Sequence, residues 1–167
     1  PDAKGRIVIP YMPFARQDRV CSEGQAFGMD VMATLLSGGL KGTQELLTYD
    51  IHSLAGYELL WSQFESNLIH VHQASIVQSC DEIFNGINNG SLQVVAPDKG
   101  ATEKAEAARY ACDMSGQALP VIYATKTRDP KTGWLMTDPL DVDLCGQDVI
   151  IVDDICDGGA TFLGLAE

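Results

Sequence analysis

In the run Val149-Ile150-Ile151-Val152-Asp153-Asp154-Ile155-Cys156-Asp157-Gly158-Gly159-Ala160-Thr161, carboxylates, glycines and a hydroxyl stand in an order that suits a ribose phosphate. Asp153 and Asp154 cannot bind a phosphate, but they can accept hydrogen bonds from a diol such as the 2- and 3-hydroxyls of ribose. Gly158 and Gly159 let backbone N–H groups turn inward with no Cβ in the way. Ala160 and Thr161 close the loop at the start of a short apolar run, Phe162 to Ala166, that reads as the opening of a helix. A helix start favours an anion through its unpaired N–H groups and its dipole. Asp157 to Thr161 is therefore expected to hold a phosphate, and the acidic pair a sugar. The plainer alternative is a buried strand followed by an acidic Gly-rich turn. Two carboxylates directly after the apolar run and a Thr closing the loop favour the cradle.

Other candidate residues lie further back in the chain. Thr125 to Gly133 is a polar loop carrying Lys126, Arg128 and Lys131 in a chain of net charge −12. It reads either as an anion-facing lid or as an exposed hairpin tip. Arg16-Gln17-Asp18-Arg19 sits in a Pro-bounded loop, Tyr11 to Val20, which by itself could be a solvated turn with a local salt bridge. Asp50 and His52 alternate, so they share a face of an extended segment and could meet a metal or a phosphate. Asp98 follows the apolar run Leu92–Ala96 and opens a turn, Pro97 to Gly100. His70 and His72 also alternate, but no third ligand lies nearby in sequence, and both read as structural.

The elements that must position these residues follow an α/β pattern. Strands are expected at Arg6–Pro10 and Glu45–Ile51, at the short segment Leu68–His72, and at Leu92–Ala96, Leu119–Ala124 and Val149–Val152. The first and last are expected to be buried, the last on both faces as in a parallel sheet. Helices are expected at Ala26–Ser37, with Phe27, Val31, Met32, Leu35 and Leu36 as its buried stripe and Gly38-Gly39 as its exit. Further helices are expected at Leu54–Phe64, closed by Glu65 to Asn67, and at Ile76–Ile87 and Ala101–Met114. Ligands in such folds bind at the carboxyl ends of the strands.

The bulk numbers narrow the function. At 46% hydrophobic the 167 residues can pack a core. No apolar run approaches the roughly 18 residues that span a membrane. The net charge of −12 argues against nucleic acid, which needs clustered Lys and Arg. It leaves room for small phosphorylated ligands, and an Asp-rich chain handling phosphates suggests Mg2+ as intermediary. The cysteines, Cys21, Cys80, Cys112, Cys145 and Cys156, are odd in number and widely spaced. They read as free thiols of a reducing cytoplasm, not as a zinc site or a disulfide framework.

Five of these segments, in this order, resemble the ribose-phosphate diphosphokinase (PRPP synthetase) family. They are Pro10-Tyr11-x-Pro13-x-Ala15-Arg16-Gln17-Asp18-Arg19, Asp50-x-His52-Ser53, Pro97-Asp98-x-Gly100, Lys126-x-Arg128, and the loop at Asp153–Thr161 that phosphoribosyltransferases share. The resemblance implies two phosphoribosyltransferase-like α/β domains with mainly parallel central sheets and flanking helices. Both would be incomplete here: residues 1–68 the later part of an N-terminal domain, and residues 69–167 the earlier part of a C-terminal one. The chain is thus expected to be a piece of something longer.

What the resemblance implies for the site is specific. Arg16, Gln17, Arg19 and His52 would hold ATP, and His52 and Asp98 would support Mg2+. Asp153, Asp154, Asp157, Gly158, Gly159, Ala160, Thr161 and Arg128 would hold ribose 5-phosphate. Lys126 and Arg128 would be catalytic. The reaction would be transfer of pyrophosphate from Mg-ATP to the 1-hydroxyl of ribose 5-phosphate, in a cytoplasmic homo-oligomer, hexameric or built from dimers. The alternatives are a phosphoribosyltransferase that consumes PRPP, and a non-catalytic regulatory relative. The Arg16–Arg19 and Asp50-x-His52 segments argue against the first, which has no ATP to hold. Retention of Lys126 and Arg128 argues against the second.

Overall fold

The computed structural model describes residues 5–40, 44–128, 135–138, 140 and 142–166, apart from the side chains of 40, 128 and 135–137. The chain divides into two compact units, Pro1–His72 and Gln73–Glu167. In both, strands alternate with helices and the main sheet is parallel.

In the first unit, β1 (Arg6–Ile9), β2 (Glu45–Tyr49) and β3 (Leu68–Val71) form a parallel sheet in the order β1-β2-β3. Ile7 pairs with Leu46, and Leu47 with Ile69. Parallel neighbours need a crossover; here α1 (Gly28–Leu40) links β1 to β2, and α2 (Leu54–Phe64) links β2 to β3. The core is Met12, Ala15, Met29, Ala33, Leu46, Ile51, Leu60, Phe64 and Leu68. The Ser53 hydroxyl caps α2 by accepting the Gly56 N–H at 3.1 Å, satisfying one of the helix's orphan donors.

Three expectations from the sequence fail here. β1 is not buried: among the described residues it is the edge strand of its sheet, Val8 is 52% exposed, and Arg6 pairs with Glu45 across the ladder. Helix α1 turns a different stripe inward. Met29 and Ala33 are fully buried, with Phe27, Met32 and Leu36 packed against the same core, while Val31 and Leu35 are 54% and 66% exposed. The helix also continues through Gly38 and Gly39 to Leu40. Each glycine costs about 1 kcal/mol relative to Ala, but α1 lies against α2, and Ser37 Oγ donates to Gln63 Oε1 at 3.1 Å.

In the second unit, β4 (Leu92–Ala96) is the central strand of the parallel order β5-β4-β8, with β5 at Ile122–Tyr123 and β8 at Asp148–Ile151. Helices α3 (Gln73–Gln78), α4 (Asp81–Asn88) and α5 (Thr102–Cys112) supply the remaining core with Val77, Ile87, Ala105, Ala108 and Cys112, packed on Val94, Ala96, Val121 and Val152. The expected single helix over Ile76–Ile87 is therefore two. It breaks at Cys80, whose extended backbone makes it the N-cap of α4, with Asp81 and Glu82 favourably placed in the first turn. The expected strand Leu119–Ala124 is shorter in the ladder because Pro120 has no N–H to give, although the Ala124 N–H still reaches the Ala96 carbonyl at 2.9 Å. Strand β8 is not buried on both faces. Among the described residues it is an edge strand, and Val149 is 45% exposed. A short helix, α6 (Ala160–Ala166), follows the glycine loop.

Candidate functional site

In the second unit, β4 ends at Ala96 and the chain turns at Asp98, whose extended backbone and side chain cap a 3-10 turn over Lys99–Ala101. Asp98 Oδ1 accepts the Gly100 N–H at 2.9 Å and the Ala101 N–H at 3.2 Å. Its other oxygen, Oδ2, accepts from Lys126 Nζ at 2.8 Å, and the same ammonium lies 3.0 Å from Thr161 Oγ1. Residues from three separate sequence segments thus meet at one ammonium. The Lys126 side chain is 16% exposed and that of Asp98 37%.

The segment around Lys126 is a hairpin, not a plain loop: β6 (Lys126–Arg128) pairs antiparallel with β7 (Leu135–Thr137). Asp138 staples its base. The Asp138 carboxylate accepts from Thr125 Oγ1 at 2.7 Å and from Thr127 Oγ1 at 2.8 Å, and its N–H reaches the Thr125 carbonyl at 2.9 Å. Side chains alternate along a strand, so with Thr125 and Thr127 turned to Asp138, Lys126 is aimed the other way, at Asp98 and Thr161. The Arg128 backbone lies in β6; its side chain, and the rest of the expected lid at residues 129–133, fall outside the described residues.

Strand β8 delivers the acidic pair. Val152 is buried and its N–H reaches the Val95 carbonyl at 3.2 Å, so Asp153 is the first residue to leave the ladder. Asp153 Oδ1 accepts the Asp154 N–H at 2.8 Å, and the Gln73 side-chain amide donates to the Asp153 carbonyl. Gly159 has φ +75°, a conformation that favours glycine, and its carbonyl accepts the Leu163 N–H at 2.9 Å as α6 begins. Asp157, Gly158 and Ala160 lie in that same turn.

The electrostatics of the cluster are opposed. Burial acts to raise the Asp98 carboxyl, but the Lys126 ammonium and the Gly100 and Ala101 N–H groups outweigh it and hold the group below the usual carboxylate range. Asp153 goes the other way: burial pushes its carboxyl up, and the Asp154 and Asp98 carboxylates add to the rise. Asp98 and Asp154 thus both act on Asp153, while the Lys126 ammonium is paired with Asp98. A divalent cation fits that donor set. Mg2+ takes one or two carboxylates and fills its shell with water and phosphate oxygens, so it does not need a ready-made cage. Among the described residues no group of three or more His, Cys, Asp or Glu forms one.

In the first unit, the Arg16–Arg19 run is organised around Asp18, a residue to which the motif alone assigns no role. Its side chain is 3% exposed, and the adjacent Arg19 forks onto both carboxylate oxygens at 2.8 and 2.9 Å. Ser53 Oγ donates to Asp18 Oδ2 at 2.5 Å. The Arg19 guanidinium, against the cost of burial and with help from Ser53, holds the Asp18 carboxyl down at about 2, and the charge of His52 contributes. Asp18 thereby ties the loop to the Asp50–Ser53 segment, where Asp50 has φ 37°. Arg16 and Gln17 are exposed. The Gln17 side chain lies across Gly28 at the start of α1, where a Cβ would come within 2.2 Å of Gln17 Oε1. Adjacency of an Asp and an Arg was the available signal for Asp18; nothing local points to Ser53, Gln73 or Asp138. His70 is structural: its Nε2 accepts the Ile51 N–H at 3.1 Å, and its ring packs against those of Tyr57 and His72.

No family model matches the chain. Curated proteins do match it. The ribose-phosphate pyrophosphokinase of Pyrococcus furiosus is 35% identical over 164 residues, 98% of this chain and 53% of that protein. Ribose-phosphate pyrophosphokinase 2 of Archaeoglobus fulgidus is 32% identical over 93% of this chain and 50% of its own length. Over nearly its whole length the chain is thus similar to ribose-phosphate pyrophosphokinases. It spans about half the length of the curated relatives it matches. The crystal structure of phosphoribosylpyrophosphate synthetase from Mycobacterium smegmatis superposes with a TM-score of 0.68 at 22% identity, covering 97% of this chain and 48% of that one. The α/β fold with parallel sheets and flanking helices is thus shared with that protein. Among the described residues no helix is long and apolar enough to cross a membrane.

Proposed function

We propose that the chain carries the ribose 5-phosphate and ATP determinants of a ribose-phosphate diphosphokinase, which moves pyrophosphate from Mg-ATP to the 1-hydroxyl of ribose 5-phosphate and yields PRPP and AMP. The observation that carries the reading is the convergence of Asp98 and Thr161 on Lys126 Nζ, at 2.8 and 3.0 Å, with Asp98 close enough to Asp153 for its charge to raise that carboxyl. The similarity to ribose-phosphate pyrophosphokinases over nearly the whole chain supports it independently.

In this reading Asp153 and Asp154 accept hydrogen bonds from the ribose hydroxyls. Asp157, Gly158, Gly159, Ala160 and Thr161 wrap the 5-phosphate with N–H and O–H donors, and Arg128 adds positive charge. Arg16, Gln17 and His52 hold ATP. Arg19 is engaged with Asp18, so its part in ATP binding is to brace the loop that carries Arg16 and Gln17. Lys126 and Arg128 stabilise charge as it develops on the transferring group, which is positioning and electrostatics with little covalent work for the protein. Mg2+, when bound, neutralises phosphate charge; in each unit taken by itself one side chain is proposed to support a Mg2+ ion, His52 in the first and Asp98 in the second. In the ligand-free state Lys126 holds Asp98 down; with phosphates present, that ammonium is free to turn from Asp98 and Thr161 to them. The units themselves are proposed to be the later and earlier parts of two phosphoribosyltransferase-like domains. The proposal extends to a homo-oligomer, hexameric or built from dimers, working in the cytoplasm.

The test is incubation with ATP, Mg2+ and ribose 5-phosphate, followed by phosphorus NMR. AMP and PRPP forming in equal amounts supports the reading. PRPP consumption with a nucleobase, and no ATP-dependent PRPP formation, replaces it with the phosphoribosyltransferase alternative.

A further inference from the structure

The peptide unit joining Asp153 to Asp154 is held at both ends. Its carbonyl, the first to leave the β4–β8 ladder, accepts the Gln73 side-chain amide across 80 residues of sequence. Its N–H is taken by the Asp153 carboxylate itself at 2.8 Å. Fixing that plane fixes the directions in which the two carboxyl groups leave the backbone. Gln73 is the first residue of α3, a helix packed along α5, so the clamp is anchored to the core of the unit and not to a loop. The other end of the Gln73 amide gains nothing: Oε1 is buried with no hydrogen-bond partner among the described residues. A buried acceptor left unmade is costly, which places the value of this amide in its N–H.

We propose that Gln73 is a positioning residue for the acidic pair, acting through the Asp153 main chain and touching no substrate. The inference rests on the reading of Asp153 and Asp154 as ribose ligands, so its test carries a ligand-free arm. Gln73→Met keeps the bulk, removes the donor and also removes the orphan acceptor, so the melting temperature should hold. In the ligand-free chain, hydrogen exchange at the Asp154 amide is expected to rise about 3- to 10-fold, the range set by one net hydrogen bond, while the Val95 and Ile150 amides of the same sheet keep their rates. The dissociation constant for ribose 5-phosphate is expected to rise by a similar factor, and that for ATP to stay put. Unchanged Asp154 exchange overturns the clamp. Equal acceleration at Val95 and Ile150 overturns it in favour of a general packing role. Faster Asp154 exchange with parental ribose 5-phosphate affinity overturns the positioning role. A parent chain that binds no ribose 5-phosphate, but whose Asp154 amide still depends on Gln73, overturns the ribose reading and leaves the clamp standing.

Discussion

Lys126 Nζ and Asp98 Oδ2 lie 2.8 Å apart, an ion pair that joins the hairpin after β5 to the turn after β4. The pair holds the Lys126 ammonium aimed at the Asp98 turn, with Thr161 Oγ1 within reach of the same group. Lys126→Ala is expected to lower pyrophosphoryl transfer on the order of 10²–10³-fold, by analogy with the loss of an oxyanion donor. Ribose 5-phosphate binding should remain within a few-fold of the parent. Steady-state kinetics paired with equilibrium binding separates the two effects, and a collapse of the circular dichroism spectrum would reassign Lys126 to the fold.

Asp153 gives a pH signature. Its carboxyl is pushed up by burial, then by Asp154 and Asp98, so the native state binds that proton more tightly than the unfolded chain does. Stability should then fall as pH rises from the ordinary carboxylate value through the raised one. Asp153→Asn is expected to raise the melting temperature at pH 7 and to leave it unchanged below about pH 3.8, the ordinary value. Thermal melts at the two pH values check this. A stabilising loss of a carboxylate is the usual mark of a site that trades stability for binding.

Asp18 has the opposite sign. Its carboxyl sits at about 2 in the folded chain, so its contribution is complete above the ordinary carboxylate value and fades as pH falls toward 2. Because Arg19 is largely exposed, the contribution is discounted to on the order of 1–2 kcal/mol. Asp18→Asn should lower the urea midpoint at pH 7, and the two proteins should converge near pH 2.

Gly28 separates binding from folding in the first unit. A methyl there meets Gln17 Oε1 at 2.2 Å and the Phe14 ring at 3.2 Å; Oε1 is the far end of a flexible side chain, and the half-exposed Phe14 ring need give by only a few tenths of an ångström. Gly28→Ala should displace Gln17 at little structural cost and gain up to about 1 kcal/mol of helix propensity. The expected outcome is an unchanged or higher melting temperature with ATP affinity about threefold weaker, the worth of a lost hydrogen bond. Fluorescence titration with a labelled ATP reads it.

The fold and the site are unevenly legible in the residue types and their spacing, for physical reasons. Leu92–Asp98 and Val149–Thr161 are legible because an apolar run, a carboxylate and a turn sit side by side in the chain. The α/β alternation is legible from the same runs. The inward face of α1 is not: Met29 and Ala33 compete with Val31 and Leu35 for the same helical spacing, and only the sheet beneath decides. At Lys126 the sequence leaves a lid and a hairpin tip both open, because the staple of the hairpin, Asp138, lies across the turn. Gln73 is hidden most deeply, since its partner Asp153 is 80 residues away and is contacted through the main chain, which leaves no trace in side-chain type.

The central claim is that Asp153 and Asp154 take the sugar of ribose 5-phosphate, and calorimetric titration of ribose 5-phosphate into the parent chain and into Asp153→Asn/Asp154→Asn tests it most directly. Saturable binding by the parent, with the double variant weakened on the order of 100-fold for two charge-assisted hydrogen bonds, is the expected result. Equal affinity in the two proteins would contradict it.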